Sequence, residues 1–266
     1  KRVIDQNLQI AFPNQSNEER KQIRKDFYRY FADLLVESVK NLSISKKQLM
    51  ERMHLENPEI LEEIKALNKP ILLVAGHYNN WEWLITAQAS WFKQPSYGIG
   101  MPLSHPFWNQ KLTERRERFG LKVVHAQNYQ EAFEAKNPVV LVLADQAPSS
   151  PTECLWMPFL HQNTAVIFGP EYMANKFDCS VVFADIKHSK RGYYNVNIEV
   201  LVKDPKTLHY QELTRMHVQK LEQQIKDNPT RWLWSHKRWK HQQPANWQNQ
   251  LQMLKSRFEE KFRRNA

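Results

Sequence analysis

The chain has 266 residues, enough for one large domain or two small ones with a sizeable core. Hydrophobic residues make up 41% and charged residues 25%, as in an ordinary folded domain, and only six glycines exclude a collagen-like chain. The net charge of +10 makes the chain basic. Two cysteines, Cys154 and Cys179, exclude a disulfide framework and a CxxC-type metal site.

The basic excess is concentrated at the two ends of the chain. Residues 1–47 carry ten Lys or Arg against six Asp or Glu, and residues 231–266 carry nine against two. A basic fringe on a nearly neutral body favours an anionic partner, which could be lipid headgroups, an acidic protein or nucleic acid. The alternative is a solubilising surface without a partner.

Helices are predicted first along the chain. Ser16 and Glu19 form a capping box for a helix that runs to about Lys40, and Ser45 with Gln48 repeats the signal for a short helix. Pro58 suits the first turn of a third helix, which ends near residue 68.

Strands and helices then alternate. Apolar or β-branched runs predict strands at residues 71–75, 97–101, 123–124, 139–144, 181–186 and 194–202. Helices are predicted at residues 80–92, 106–119, 168–177 and 208–227. This alternation predicts an α/β fold with a mostly parallel sheet. Without a convincing domain boundary, residues 1–266 are predicted to form one domain, ending in a basic helical tail from Gln242.

The segment after the first predicted strand, residues 71–75, is the main candidate for a catalytic site. His77 lies just past the carboxyl end of that strand, where ligands bind in open α/β sheets, and Glu82 lies in the first turn of the next helix. A neutral His77 could act as a general base, with Glu82 fixing its tautomer. Alternatively, His77 and Glu82 only cap and begin a helix.

Two further segments attract attention. Asp145 follows the strongest strand in the same way as His77 follows its strand, either as a site residue or as a turn aspartate. Residues 232–241 mix aromatic and basic side chains, a composition typical of phosphate, headgroup or nucleic-acid contacts.

The tryptophans could line an acyl groove, rest at a membrane interface or belong to the core. No GxSxG, P-loop, GxGxxG or HExxH motif occurs.

The sequence resembles the bacterial lipid A biosynthesis acyltransferases of the lysophospholipid acyltransferase superfamily. The family's His-x4-Asp/Glu signature is matched by His77 and Glu82. Further landmarks follow in family order over residues 2–241. They are Asn7-Leu8 with Phe12-Pro13, Pro102-Leu103 through Arg118-Phe119-Gly120, Asp145-Gln146 with Pro158-Phe159, Thr164-Ala165 with Gly169-Pro170, and Trp232-Leu233-Trp234 with residues 236–240.

The resemblance implies an αβα sandwich and a membrane-associated O-acyltransferase. A fatty acyl chain would pass from acyl carrier protein, or from acyl-CoA, to a hydroxyl of a lipid A precursor. His77 would deprotonate that hydroxyl and Glu82 would orient His77, without an acyl-enzyme, a metal or a cofactor. Substrate contacts are expected from Asp145, Arg115, Arg118, Lys237 and Arg238.

The resemblance also implies partners and a location. The expected partners are acyl carrier protein, a glycolipid acceptor and the anionic inner membrane at its cytoplasmic face. These partners would account for the basic fringe, so nucleic acid is not expected. An N-terminal membrane anchor is expected before Lys1. Met101 stands where many relatives have Arg or Lys, which keeps another acceptor open: an aminolipid, a different glycolipid or an aryl-polyene pigment. An acyl-thioester hydrolase on the same scaffold and a non-enzymatic lipid-binding module are also compatible with the sequence.

Overall fold

The computed structural model describes residues 1–263. Its α-helices are α1 (Arg2–Ala11), α2 (Asn17–Lys40), α3 (Lys46–Arg52), α4 (Ile60–Ala66), α5 (Trp81–Trp91), α6 (Pro106–Glu117), α7 (Gly169–Lys176), α8 (Glu212–Asp227) and α9 (Trp247–Phe262). Its strands are β1 (Met53–Leu55), β2 (Ile71–Ala75), β3 (Ser96–Gly100), β4 (Leu121–His125), β5 (Val139–Leu143), β6 (Leu155–Phe159), β7 (Gln162–Val166), β8 (Ser180–Lys190) and β9 (Tyr193–Val202).

A seven-stranded sheet in the order β1-β9-β8-β2-β5-β3-β4 forms the centre of the molecule. Every neighbouring pair is parallel except β8 and β9, which form a hairpin. Gly192 turns that hairpin with a positive φ of 73°. The predicted α/β fold with a mostly parallel sheet is confirmed, and the predicted helices at both ends of the chain are present.

The apolar runs form the strands that they predict. All five residues of β2 are buried, as are the first four of β5, because both strands lie inside the sheet with neighbours on either side. The two capping boxes at Ser16 and Ser45 begin α2 and α3. The basic tail contains a helix, α9; residues 264–266 of the tail lie outside the described part.

Some elements differ from the prediction. α1, β1 and the β6–β7 hairpin were not predicted, and α8 begins at Glu212 rather than near residue 208. Gln211 has a left-handed φ of 76°, which cannot belong to a helix. The buried carboxylate of Glu171 accepts the backbone N–H groups of Gln211 and Thr214 at 2.7 and 2.9 Å. It therefore fixes the beginning of α8 at this position.

Candidate active site

The sheet register brings two polar residues together. β2 and β5 are parallel neighbours, with Ala75 opposite Leu143. Continuing this register by two residues places His77 opposite Asp145 at the carboxyl edge of the sheet. Gly76, between Ala75 and His77, packs closely against α8, since a Cβ there would lie 2.7 Å from Leu221 Cδ1.

His77 and Asp145 are directly hydrogen-bonded. His77 Nδ1 lies 2.6 Å from Asp145 Oδ1, and the indole Nε1–H of Trp232 donates to Asp145 Oδ2 at 2.7 Å. Burial alone would raise the pKa of Asp145, but the charge of His77 and the hydrogen bonds from His77 and Trp232 lower it to about 2. Asp145 is therefore a carboxylate whose two oxygens both have a donor.

This arrangement selects one tautomer of His77. Because a carboxylate only accepts hydrogen bonds, Nδ1 carries a proton, and in the neutral imidazole Nε2 therefore keeps its lone pair. The side-chain nitrogen of Gln146 lies 3.4 Å from Nε2. The His77 side chain is 17% exposed, whereas the Asp145 side chain is only 2% exposed. In this His77–Asp145 dyad the imidazole is therefore partly accessible to solvent and the carboxylate is buried. A lone pair on Nε2 is what a general base needs.

The segment that contains Trp232 is tied to the His77 loop through the backbone. Leu233 N–H donates to His77 O at 3.1 Å, and Asn79 N–H donates to Arg231 O at 3.0 Å. Asn7 near the N-terminus donates through Nδ2 to the carbonyl of Trp234 at 2.8 Å. Three distant parts of the chain thus meet at the candidate site.

Glu82 has a different partner from the one predicted. Its two carboxylate oxygens accept from Arg116 Nε at 3.0 Å and Arg116 Nη2 at 2.5 Å, a bidentate pair whose side chains are both 17% exposed. In the structure Asp145, not Glu82, is hydrogen-bonded to His77, and the expected support of His77 by Glu82 stays a prediction. Arg116 was missed because the predicted α6 has three neighbouring arginines, and only the packing of α6 beside α5 singles out Arg116.

The loop between His77 and Glu82 is held by buried polar side chains of α2. Asn80 caps α5 by accepting Trp83 N–H at 2.9 Å, and its Nδ2 donates to Glu37 Oε2 at 2.6 Å. Tyr194 donates to the same Glu37 oxygen at 2.7 Å. Tyr30 donates to the carbonyl of Asn79 at 2.5 Å. These hydrogen bonds hold the loop against α2 and β9.

Arg115 and Arg118 lie at the end of α6 and not beside His77. Both guanidinium groups donate to the carbonyl of Leu42, at 2.5 and 3.3 Å. Partial burial and the charge of Arg115 lower the pKa of Arg118. Their expected contact with substrate stays a prediction.

The two basic residues chosen from the closing motif lie in different surroundings. Lys237 is exposed, whereas Arg238 is 3% exposed and donates to the carbonyl of Ala165 at 2.8 Å. Arg238 lines a small internal cavity with Asp145 and His217. Burial lowers the pKa of Arg238 to about 10 and that of His217 to about 4. Arg238 therefore lies in the interior near the dyad, and the expected substrate contacts of Lys237 and Arg238 stay predictions.

Most tryptophans noted in the sequence belong to the core. Trp81, Trp83, Trp232 and Trp234 are all less than 10% exposed. Trp81 packs edge-on against the His77 ring, with centroids 5.2 Å apart. The exposed aromatic pair, Phe107 and Trp108, was not selected from the sequence.

Other kinds of site receive no support within residues 1–263. This part of the chain holds no group of three or more His, Cys, Asp or Glu side chains placed to bind a metal ion. Burial raises the pKa of the Cys154 thiol to about 11, which is unfavourable for a nucleophile. None of the described helices combines the length and apolar character that crossing a bilayer requires.

Comparison with known protein families identifies one match. The model of the bacterial lipid A biosynthesis acyltransferase family matches residues 1–241. That range includes β1 to β9, the His77–Asp145 dyad and Trp232. None of the curated proteins matches the chain.

Proposed function

Because the chain belongs to the bacterial lipid A biosynthesis acyltransferase family and is an acyltransferase, we propose that it transfers a fatty acyl group from a thioester to a hydroxyl of a lipid A precursor. The observation that carries the mechanism is the His77–Asp145 hydrogen bond, which turns Nδ1 toward the carboxylate and leaves the lone pair of Nε2 to accept a proton. Acyl carrier protein is the proposed donor, and a glycolipid the acceptor.

The proposed reaction is a direct transfer. Nε2 of His77 takes the proton of the acceptor hydroxyl while its oxygen attacks the thioester carbonyl carbon. The carbon–sulfur bond then breaks, the thiolate leaves, and His77 returns the proton to the sulfur. The new ester and the free thiol are the products, and no covalent bond to the protein forms.

Asp145 and Trp232 support each step of this transfer. When His77 accepts the proton it becomes an imidazolium, and the carboxylate of Asp145 at 2.6 Å stabilises that charge. The indole of Trp232 holds Asp145 in position from its other oxygen. Glu82 is proposed to act through Arg116. Its carboxylate holds the Arg116 guanidinium near the site and does not itself contact His77.

The charge of the chain supports an acidic donor and an anionic surface. Acyl carrier protein and lipid A phosphates are both anionic, and the net charge of this chain is +10. We place the protein at the cytoplasmic face of the inner membrane for the same reason. Met101 is 67% exposed beside the site, so the basic contact of many relatives has to come from elsewhere, for which Lys237 is the candidate.

The test is acyl transfer with purified protein. Acyl-thioester turnover and acylated product are measured with a lipid A precursor, and His77→Ala is expected to abolish both. Turnover that continues at full rate without acceptor lipid would indicate a thioester hydrolase instead. Turnover with another hydroxyl lipid, but none with the lipid A precursor, would keep the chemistry and change the acceptor.

A further inference from the structure

Helix α2 has apolar residues on two opposite sides. Its inner side buries Ile23, Phe27, Tyr30, Leu34 and Glu37 against the body. On the opposite side, at about 100° per residue, Ala32, Leu35, Val36 and Val39 share an arc of about 100°. Leu35, Val36 and Val39 are 55%, 65% and 66% exposed. A helix that faced only water would carry polar residues there.

A second exposed apolar cluster follows β3. Its members, in the loop before α6 and in the first turn of α6, are each 47–67% exposed. They are Met101, Leu103, Phe107 and Trp108. We call these four, together with Leu35, Val36, Val39 and Leu42, the apolar rim.

Helix α6 connects the two halves of the apolar rim. Its far end is fastened to the segment after α2, because Arg115 donates to the carbonyl of Leu42 at 2.5 Å. Trp108 lies seven residues from Arg115 along α6, which is about 11 Å of helix. The exposed apolar side chains therefore border one region of the surface rather than two remote ones. Exposed apolar side chains concentrated in one region of a surface are typical of an interaction site.

The apolar rim adjoins the candidate active site. The inner side of α2 contacts the loop after His77 through Tyr30 and Glu37. α6 holds Glu82 through Arg116. Both elements that carry the rim thus touch the loop between His77 and Glu82 with their other side, and only about one helix diameter separates rim and loop.

Charge indicates which partner the rim binds. Lys25, Arg29 and Lys40 are exposed on the same outer side of α2, Arg29 with an ion pair to Asp26 at 2.8 Å, and Lys46 and Lys47 follow its end. A second copy of this chain would bring these cations against one another, whereas anionic lipid headgroups would neutralise them. Apolar side chains bordered by Lys and Arg are typical of helices that lie in a bilayer interface.

We propose that the apolar rim docks the protein onto an anionic lipid bilayer, with the outer side chains of α2 and of the β3–α6 loop inserted between headgroups. This deepens the proposed function, since it states how an enzyme acting on a lipid reaches its acceptor. Docking does not require the chemistry, so the two can fail separately.

The experiment is flotation of the purified protein with vesicles of phosphatidylglycerol and phosphatidylethanolamine, without donor or acceptor. The double variant Val36→Asp/Val39→Asp is expected to lose about tenfold or more in vesicle binding, because two charges enter the inserted face. The matched control is Asn249→Asp/Gln252→Asp, which adds the same charge to exposed positions of α9. Phe107→Ser/Trp108→Ser tests the other half of the rim independently, and circular dichroism checks folding.

Each outcome is decisive. Full flotation of both rim variants would overturn the proposal, and so would a wild-type dimer that Val36→Asp/Val39→Asp dissociates while neither protein binds vesicles. His77→Ala is expected to float like the wild type. Flotation of the wild type without any acyl transfer would refute the proposed function and leave the docking surface intact. Val36→Asp/Val39→Asp is expected to retain acyl transfer to acceptor dispersed in detergent.

Discussion

Replacing Asp145 by Asn tests whether the carboxylate fixes the tautomer of His77. The amide has the shape of the carboxylate but only one acceptor oxygen. Trp232 Nε1–H lies 2.7 Å from Oδ2 and requires an acceptor there. The amide NH2 group then faces His77 Nδ1, which has to become the acceptor. The imidazole proton therefore moves to Nε2, the atom that should receive the proton of the hydroxyl.

The expected loss in kcat is large. General-base catalysis contributes about 10²- to 10⁴-fold, which corresponds to about 3–5 kcal/mol in the activation barrier. Asp145→Asn should lose most of this factor, measured as acylated product per enzyme with saturating thioester and detergent-dispersed acceptor. Asp185→Asn is the matched control. It makes the same change in a carboxylate on β8, which accepts a hydrogen bond from Gln224 at 2.5 Å.

A second substitution separates the tautomer argument from a merely structural loss. In Asp145→Asn/Trp232→Phe no indole N–H competes for the amide oxygen, which can turn toward His77 Nδ1 and restore the active tautomer. Part of the lost kcat should therefore return in the double variant. If Asp145→Asn stays within about threefold of wild type while Glu82→Gln is inactive, then Glu82 and not Asp145 supports the base.

Three further predictions concern stability, measured by urea unfolding. Trp232→Phe removes a hydrogen bond to a carboxylate and should cost about 2 kcal/mol; an unchanged midpoint would contradict that bond. The pKa of Asp145, lowered from 3.8 to about 2, gives stability that is present above pH 3.8 and is lost as the pH falls through about 2. That loss should reach about 2 kcal/mol and be absent in Asp145→Asn. Asn80→Ala should cost about 2–4 kcal/mol, because it removes both the α5 cap and a donor to buried Glu37. Asn80→Asp keeps the cap to Trp83 but places a carboxylate beside Glu37, so equal stability of Asn80→Asp and wild type would refute the role of Glu37.

The local parts of the fold could be predicted from sequence, because their causes are local. The apolar runs of β2 and β5 predict buried strands, and the capping boxes at Ser16 and Ser45 predict helix starts within a residue. α1 was missed, although Ile4, Leu8 and Ala11 share a buried face at helical spacing. The short strand β1 and the β6–β7 hairpin depend on pairing partners that no local pattern specifies.

The composition of the site could be predicted, but not its pairing. Both His77 and Asp145 follow strong strands, yet their contact requires β2 and β5 to be neighbours, although 63 residues separate the two strands. Glu82 is five positions from His77, and that spacing alone predicts a contact that is not among the hydrogen bonds of Glu82 in the structure. Its actual partner, Arg116, is separated by 34 positions and comes near only when α6 packs beside α5. Proximity in sequence did not predict the side-chain contacts of the site, because the carboxyl edge of the sheet brings together residues that follow different strands.

The positions of the dyad and of the apolar rim constrain how a lipid acceptor can be used. His77 Nε2 is the outward atom of the dyad, and the buried side of the imidazole is occupied by Asp145. A hydroxyl must therefore approach from the exposed carboxyl edge of the sheet. Met101 and the first turn of α6 border this edge with exposed apolar side chains. A lipid whose hydroxyl lies at headgroup level could meet Nε2 there while its chains stay in the bilayer, so docking and proton transfer would use the same face of the protein.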